Sequence, residues 1–117
     1  MKVRILLPLI LLPTMLIAQD FAEKPNTPFD GVEFSSSAFA DIDGDGDQDL
    51  LITGRNSSND IIAKLYSNDG SGDFSEVTGT PFKGVNNGSL AFADIDGDND
   101  QDVLITGTSN GSQGSSI

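Results

Sequence analysis

An internal repeat constrains this chain more than any other feature of its sequence. Residues 36–54, SSAFADIDGDGDQDLLITG, return 53 residues later as residues 89–107, SLAFADIDGDNDQDVLITG, with sixteen of the nineteen positions identical. The same offset relates residues 28–32, PFDGV, to residues 81–85, PFKGV. A period of this length is typical of architectures in which one small supersecondary unit stacks on copies of itself.

Each copy contains five alternating aspartates: Asp41, Asp43, Asp45, Asp47 and Asp49 in the first, and Asp94, Asp96, Asp98, Asp100 and Asp102 in the second. Unit charges about 4 Å apart repel by roughly 1 kcal/mol per pair even in water. A solvated acidic turn is one interpretation. The repeated spacing, with glycines where the chain must bend, instead favours calcium, which takes about six to eight oxygen ligands. We therefore expect about two Ca²⁺ ions, one per acidic loop.

Composition narrows the classes of function. The 117 residues include no Cys, His or Trp, which excludes disulfides, thiolate zinc sites and catalysis by Ser-His or Cys-His pairs. The formal charge of −12 argues against nucleic acids and anionic membrane surfaces as partners.

The first 18 residues differ in character from the rest. Lys2 and Arg4 precede an apolar run over residues 5–17, which ends at the small residue Ala18. The run is short for a bilayer span, so we predict a secretory signal peptide, although Leu16 occupies a position where a small residue is preferred. An N-terminal membrane anchor is the alternative. Export to the extracellular space or the cell surface also suits weak calcium sites, and no membrane contact is expected after cleavage.

Each period contains about four short strands and no helical periodicity. We predict strands at residues 36–40, 50–53, 61–67 and 74–77, with a turn at 68–73, and a further strand at 21–24 before a loop at 26–31. In the first strand the small residues Ser36, Ala38 and Ala40 share one face. Phe29 and Phe82 are expected to be hydrophobic plugs at the repeat boundaries. The predicted fold class is all-β, made of antiparallel four-stranded blades of a β-propeller, with about one and a half blades present.

The chain is therefore divided into four segments. Residues 1–18 are the signal peptide, 19–35 a linker with the outer strand of a preceding blade, 36–88 the first repeat and 89–117 an incomplete second repeat. Because a closed propeller needs roughly four to eight blades, we expect the partners to be further blades of a longer parent chain. Self-assembly into a ring is the alternative.

Two motifs carry a resemblance to a known family. The sequence DIDGDGDQDLL resembles the calcium loop of FG-GAP/VCBS repeats, the blades of integrin-α-type β-propellers, and LYSNDGSGDF resembles the hairpin of the same repeats. The resemblance implies that loop positions one, three, five and nine supply side-chain oxygens and position seven a backbone carbonyl. The implied side-chain ligands are Asp41, Asp43, Asp45 and Asp49, then Asp94, Asp96, Asp98 and Asp102. Asp47 and Asp100 would supply the carbonyls and direct their side chains to solvent.

The residues also distinguish this loop from other types of calcium-binding loop. Gly46 and Asn99 stand at position six, where a positive φ is required. An EF-hand or dockerin loop needs an acid at position twelve, which is Ile52 or Ile105 here. Thrombospondin-type repeats would need cysteines.

The expected function is a calcium-stabilised, non-catalytic scaffold or adhesion module that binds a protein or a glycan. The alternative is a fragment of a calcium-dependent propeller lyase or hydrolase whose catalytic residues lie in missing blades. In that enzyme, an active-site arginine or lysine would have to be Arg55, Lys64 or Lys83. None of these three residues stands in a recognisable catalytic motif.

Overall fold

The structure, a computed structural model, describes residues 20–109 by backbone and side chain and residues 112–116 by backbone. The predicted signal peptide lies outside the described residues. Within the described part all regular secondary structure is β, which confirms the predicted all-β class. No helix there is long and apolar enough to cross a membrane.

Seven strands form two antiparallel sheets. They are β1 (Val32–Ala40), β2 (Asp49–Asn56), β3 (Ile61–Asn68), β4 (Phe74–Val77), β5 (Asn86–Ala93), β6 (Asp102–Ser109) and β7 (Ser112–Ser116). The first sheet has the order β1-β2-β3-β4 and the second the order β5-β6-β7. The four strands predicted for the first repeat are thus present in sequence order, and β7 is a third strand in the sheet of the second repeat.

A β-bulge lengthens the first strand of each sheet beyond its predicted start. The pairing of β1 with β2 shifts between Glu33 and Ser36, and that of β5 with β6 shifts between Asn86 and Ser89. Phe34 and Asn87 occupy the same place in the two bulges, with φ of 49° and 50°. The bulge breaks the two-residue alternation, which is why the sequence pattern began the first strand at Ser36 and assigned Phe34 to the preceding linker.

The strand predicted at residues 21–24 does not form. Phe21 is 92% exposed, and the segment is held instead by Lys24, whose Nζ lies 2.7 Å from Asp73 and 2.5 Å from the carbonyl of Gly72. Two prolines follow at Pro25 and Pro28, where the backbone has no N–H to donate to a neighbouring strand.

Each sheet has two unlike faces. We call alanine face the side with the small residues of the leading strand, and aromatic face the side with its phenylalanine. The strand register places Ser36, Ala38, Ala40, Leu51 and Leu65 on the alanine face of the first sheet, and Ser37, Phe39, Leu50, Ile52 and Tyr66 on its aromatic face. In the second sheet the alanine face carries Ser89, Ala91, Ala93, Leu104 and Thr106, and the aromatic face Leu90, Phe92, Val103 and Ile105.

The alanine face of the first sheet packs against the aromatic face of the second. Leu51 and Leu65 from the first sheet form one buried cluster with Val85 and Ile105. Half-buried apolar side chains surround this cluster: Ile42, Phe82, Leu90, Phe92 and Val103. The small side chains of the alanine face, which the sequence predicted on one side of the first strand, allow the two sheets to approach closely.

Phe29, in the segment before β1, packs against the aromatic face of the first sheet. Phe29 packs edge-on against Tyr66, with ring centroids 5.1 Å apart, and Phe29, Val32 and Phe74 surround a buried cluster of Leu50, Ile52 and Tyr66. Phe82 occupies the equivalent place between the sheets. Both phenylalanines are therefore boundary plugs, as the sequence predicted.

Candidate metal centre

The acidic loops connect the first two strands of each sheet, and their first aspartate organises the backbone. One carboxylate oxygen of Asp41 accepts the N–H groups of Gly44 and Asp45 at 2.8 and 3.1 Å, and the other accepts that of Gly46 at 2.9 Å. Asp94 makes the same three bonds in the second loop, at 2.7, 3.1 and 3.0 Å. The chain is thereby wrapped around one carboxylate in each loop.

The sixth loop position has the expected backbone conformation. Gly46 has a φ of 92° and Asn99 a φ of 72°, both in the left-handed region that glycine and asparagine tolerate. Position twelve also behaves as predicted, because Ile52 and Ile105 are buried strand residues and supply no oxygen ligand from their side chains.

The ninth position holds the loop to its sheet. Asp49 is the first residue of β2 and is only 2% exposed. One of its carboxylate oxygens accepts the N–H of Ile42 at 2.9 Å, and the other accepts the N–H of Asn68 at 3.0 Å. Asp102, its counterpart, accepts the N–H of Ile95 at 2.9 Å and is half-buried.

Three carboxylates of each loop converge. In the first loop, oxygens of Asp41, Asp43 and Asp49 lie within 4.8 Å of one another, and in the second those of Asp94, Asp96 and Asp102 do the same. Two oxygens bound to one Ca²⁺ at about 2.3–2.6 Å are separated by at most roughly 5 Å. Both clusters therefore fit the span that a shared calcium ion imposes.

The aspartates at loop positions five and seven lie outside these clusters. Asp45 and Asp98 accept the N–H groups of Asp47 and Asp100, each at 2.9 Å. Asp100 is exposed, as expected. Asp47 differs from the expectation, because its side chain is half-buried and its carboxylate lies against Gly70 in the turn between β3 and β4.

Protein cations do not neutralise the loops in the described part of the chain. The ion pairs formed there by Lys24, Arg55 and Lys64 all have acids outside the two loops: Asp30, Glu33, Asp73 and Glu76. Loss of solvent around Asp43 raises the pKa of its carboxyl; the N–H of Asp45 opposes the rise, and the nearby charges of Asp45 and Asp49 add to it. This crowding of carboxylates suits a site that binds a hard cation.

A family comparison bears on these loops. The family model for FG-GAP-like repeats matches residues 41–105, more than half of the chain. The chain belongs to the FG-GAP-like repeat family. The matched region of this FG-GAP-like chain begins at the first aspartate of the first loop and ends in β6, so it includes both carboxylate clusters. No curated protein and no solved structure matched the chain in the corresponding comparisons.

The FG-GAP-like hairpin contributes a residue that the sequence did not single out. Asn68 gives its backbone N–H to Asp49, and its side-chain amide donates to the carbonyl of Gln48 at 3.2 Å. Its side-chain oxygen accepts the N–H groups of Gly70 and Gly72, each at 3.1 Å. Asn68 thus fastens the acidic loop to the β3–β4 turn, and its fixed place in the hairpin motif was the available signal.

Asp69 lies in the predicted turn at 68–73, and the hydrogen bonds of that turn account for its carboxylate. Its carboxylate accepts the N–H and hydroxyl of Ser71 at 2.9 and 2.7 Å and the N–H of Asp73 at 3.2 Å. The hydrogen bonds from Ser71 are the main cause of a lowered pKa for Asp69.

The basic residues of the FG-GAP-like chain have neighbours outside the acidic loops. Lys64 lies 3.0 Å from Asp30 and 3.1 Å from Glu76, and hydrogen bonds to these two acids raise its pKa. Arg55 lies over the ring of Phe34, with 5.7 Å between its guanidinium carbon and the ring centroid. Lys83 is exposed. Lys64 in this way joins β3 to β4 and to the segment before β1.

Proposed function

We propose that this FG-GAP-like chain is a calcium-binding, non-catalytic module of an exported protein, with one Ca²⁺ in each acidic loop. The observation that carries the proposal is the convergence of three carboxylates in each of two independent copies, with no protein cation paired to them in the described residues. A buried carboxylate such as Asp49 needs compensation by hydrogen bonds, a counter-ion or a metal, and a divalent cation supplies it to the whole cluster.

The aspartates of each loop have different roles in the proposed calcium site. Asp41 and Asp49 are fixed by backbone N–H groups, which orients their oxygens without using all of their lone pairs. Asp43 completes the trio from the exposed side of the loop. The resemblance adds the side chain of Asp45 and the carbonyl of Asp47 as further ligands. A bound calcium ion would supply charge neutralisation and folding free energy at this loop.

The packing of the two sheets supports a role within a β-propeller. Unlike faces of successive repeats are in contact, an arrangement that extends to further repeats without a change of interface. Such a scaffold presents loops for binding a protein or a glycan, which is the task we propose. The predicted signal peptide and the calcium of the extracellular medium support export to the outside of the cell or to its surface.

Calorimetric titration of the full chain with calcium tests the proposal. We expect about two sites, with affinities in the range of extracellular modules, roughly 10⁻⁴ to 10⁻³ M. The double substitution Asp43→Ala with Asp45→Ala should remove one site and leave the other nearly unchanged, because each cluster is built within its own loop.

A matched acidic pair provides the control. Asp69→Ala with Asp73→Ala removes the same charge from the β3–β4 turn, outside both clusters, and should retain both sites. If the control loses as much calcium as the loop variant, binding reflects general negative charge and not the loops. If the unmodified chain binds no calcium, the proposal is wrong.

A further inference from the structure

The bulge in β5 contains the dipeptide Asn87-Gly88, the only asparagine–glycine pair among the residues whose side chains the structure describes. In such a pair the backbone nitrogen of the glycine can attack the side-chain amide of the asparagine, because glycine has no side chain to obstruct the approach. Asn26, Asn59 and Asn99 are also exposed, but each precedes a threonine or an aspartate. The bulge therefore combines exposure with the most reactive neighbour that an asparagine can have.

The fold accounts for both members of this pair. Asn87 has a φ of 50°, in the left-handed region that asparagine tolerates better than most residues. Gly88 lies directly against the backbone carbonyl of Thr106 in β6, so no Cβ would fit there. The geometry of the bulge thus favours asparagine at the first position and requires glycine at the second, and their combination is the reactive one.

The side chain of Asn87 is free to react. It is exposed and makes no hydrogen bond within the described residues. The pairing of β5 with β6 passes from Asn86 to Ser89 and leaves both Asn87 and Gly88 without a partner residue in the register. Phe34, at the equivalent place in the first sheet, is 53% exposed although the second repeat follows that sheet. Exposure at this place therefore persists when a further repeat is present.

We propose that Asn87 is a site of spontaneous modification, at which the folded chain deamidates to isoaspartate and aspartate. The backbone nitrogen of Gly88 gives its proton to solvent base and bonds to Cγ of Asn87. The carbon–nitrogen bond of the side-chain amide breaks, and the amide nitrogen takes up a proton and leaves as ammonia. Water then opens the resulting cyclic imide. Opening at the main-chain carbonyl gives isoaspartate, and opening at Cγ gives aspartate.

Isoaspartate at this place disturbs the joint between the two sheets. The preceding residue, Asn86, is 3% exposed. In the amide orientation that satisfies both neighbours, its side chain donates to the carbonyl of Thr108 in β6 at 3.0 Å and accepts from Nη2 of Arg55 in β2 at 3.2 Å. Isoaspartate carries the main chain through the former side chain and so adds a carbon to the backbone. Because Gly88 already touches Thr106, the added length displaces Asn86 or Gly88 and should lower the stability of the chain.

Peptide mapping by mass spectrometry after incubation of the full, folded chain at physiological temperature tests the proposal. Cleavage after Lys83 and before Asp94 releases residues 84–93, which contain Asn86, Asn87 and no other asparagine. We expect this peptide to exchange ammonia for water at Asn87, several-fold faster than the other asparagines of the described residues react. An endoproteinase that cleaves before aspartate should cut the aspartate product at residue 87 and leave the isoaspartate product intact, with isoaspartate in excess.

Three variants provide the controls. Asn87→Gly retains the positive φ without an amide, and should stop the reaction while it unfolds in urea as the fresh chain does. Asn59→Gly changes another exposed asparagine, which has a φ of 70° and precedes Asp60, and should leave the reaction at Asn87 unchanged. Asn87→Asp adds the charge without the extra backbone carbon and should unfold as the fresh chain does. A chain rich in isoaspartate should unfold at a lower urea concentration than either.

The reaction in the chain unfolded by urea sets the reference rate. If the folded chain reacts about tenfold more slowly or less, the bulge has to open first and the proposal is wrong. Reaction at Asn86 instead of Asn87, or a mass gain of the same peptide in Asn87→Gly, overturns it as well. An aged chain that is as stable as the fresh one would contradict the proposed effect on the joint between the sheets.

Discussion

At the scale of single residues, the buried polar groups of this small protein differ in how completely they are hydrogen-bonded. Asp49 is buried with both carboxylate oxygens occupied by backbone donors. Tyr66 is equally buried, and among the described residues its hydroxyl makes at most a weak hydrogen bond, with the backbone of Asp30. Burial is the main cause of a raised pKa for that hydroxyl. The ring of Tyr66 therefore contributes to stability through its contacts with Phe29 and its neighbours, and its hydroxyl does not.

Two substitutions of Tyr66 separate the contribution of its ring to stability from that of its hydroxyl. Tyr66→Phe removes a buried hydroxyl that is at most weakly hydrogen-bonded, whose desolvation costs about 1–3 kcal/mol, and should leave stability unchanged or raise it. Tyr66→Ala removes the ring and should cost about 3–5 kcal/mol. Urea denaturation of both variants measures the two effects. A loss above about 1 kcal/mol in Tyr66→Phe would mean that the hydroxyl is hydrogen-bonded after all.

At the scale of elements, the acidic loop is part of the sheet and not an appendage to it. Asp49 connects the start of β2, the loop at Ile42 and the end of β3 at Asn68. Its counterpart Asp102 has a single such bond, from Ile95, in the described residues. Within the described residues, Asp49 is therefore held by two elements and Asp102 by one.

Matched amide substitutions measure that difference. Asp49→Asn turns one acceptor into a donor, which leaves one of two backbone N–H groups without a partner and should cost about 1–3 kcal/mol. Asp102→Asn retains an oxygen for Ile95 and should cost less. Both are compared by urea denaturation in a chelator, so that metal ligation does not contribute. Equal losses would contradict the account of Asp49 as the link to β3.

The local sequence pattern made most strands and loops predictable. The predictions failed where the structure depends on contacts between segments that are distant in the sequence. The pattern of short strands and turns sufficed for the all-β class. The resemblance to FG-GAP/VCBS repeats supplied the loop positions, of which one, three and nine converge and six has the positive φ at Gly46. The partly buried environment of Asp47 depends on the β3–β4 turn coming beside the loop, which its own sequence does not encode. Residues 21–23 align with residues 74–76 of β4 at the 53-residue offset, yet no strand forms there, and pairing is what makes a strand.

At the scale of the whole molecule, two sheets with unlike faces stack in series while the chain carries a formal charge of −12. Much of that charge lies in two loops whose carboxylates converge. The repulsion between carboxylates within the loops thus offsets part of the stabilisation that apolar packing between the sheets provides. The central claim is that calcium relieves this repulsion and so stabilises the fold.

Thermal unfolding of the full chain with calcium and with excess chelator tests that claim most directly. At a tenfold excess of calcium over its dissociation constant, each site adds about 1.4 kcal/mol to the free energy of unfolding. For two sites in a domain of this size, the melting temperature should rise by roughly 10 °C or more. The account predicts that rise, and a smaller rise for the Asp43→Ala, Asp45→Ala variant. A melting temperature that is the same in calcium and in chelator would contradict it.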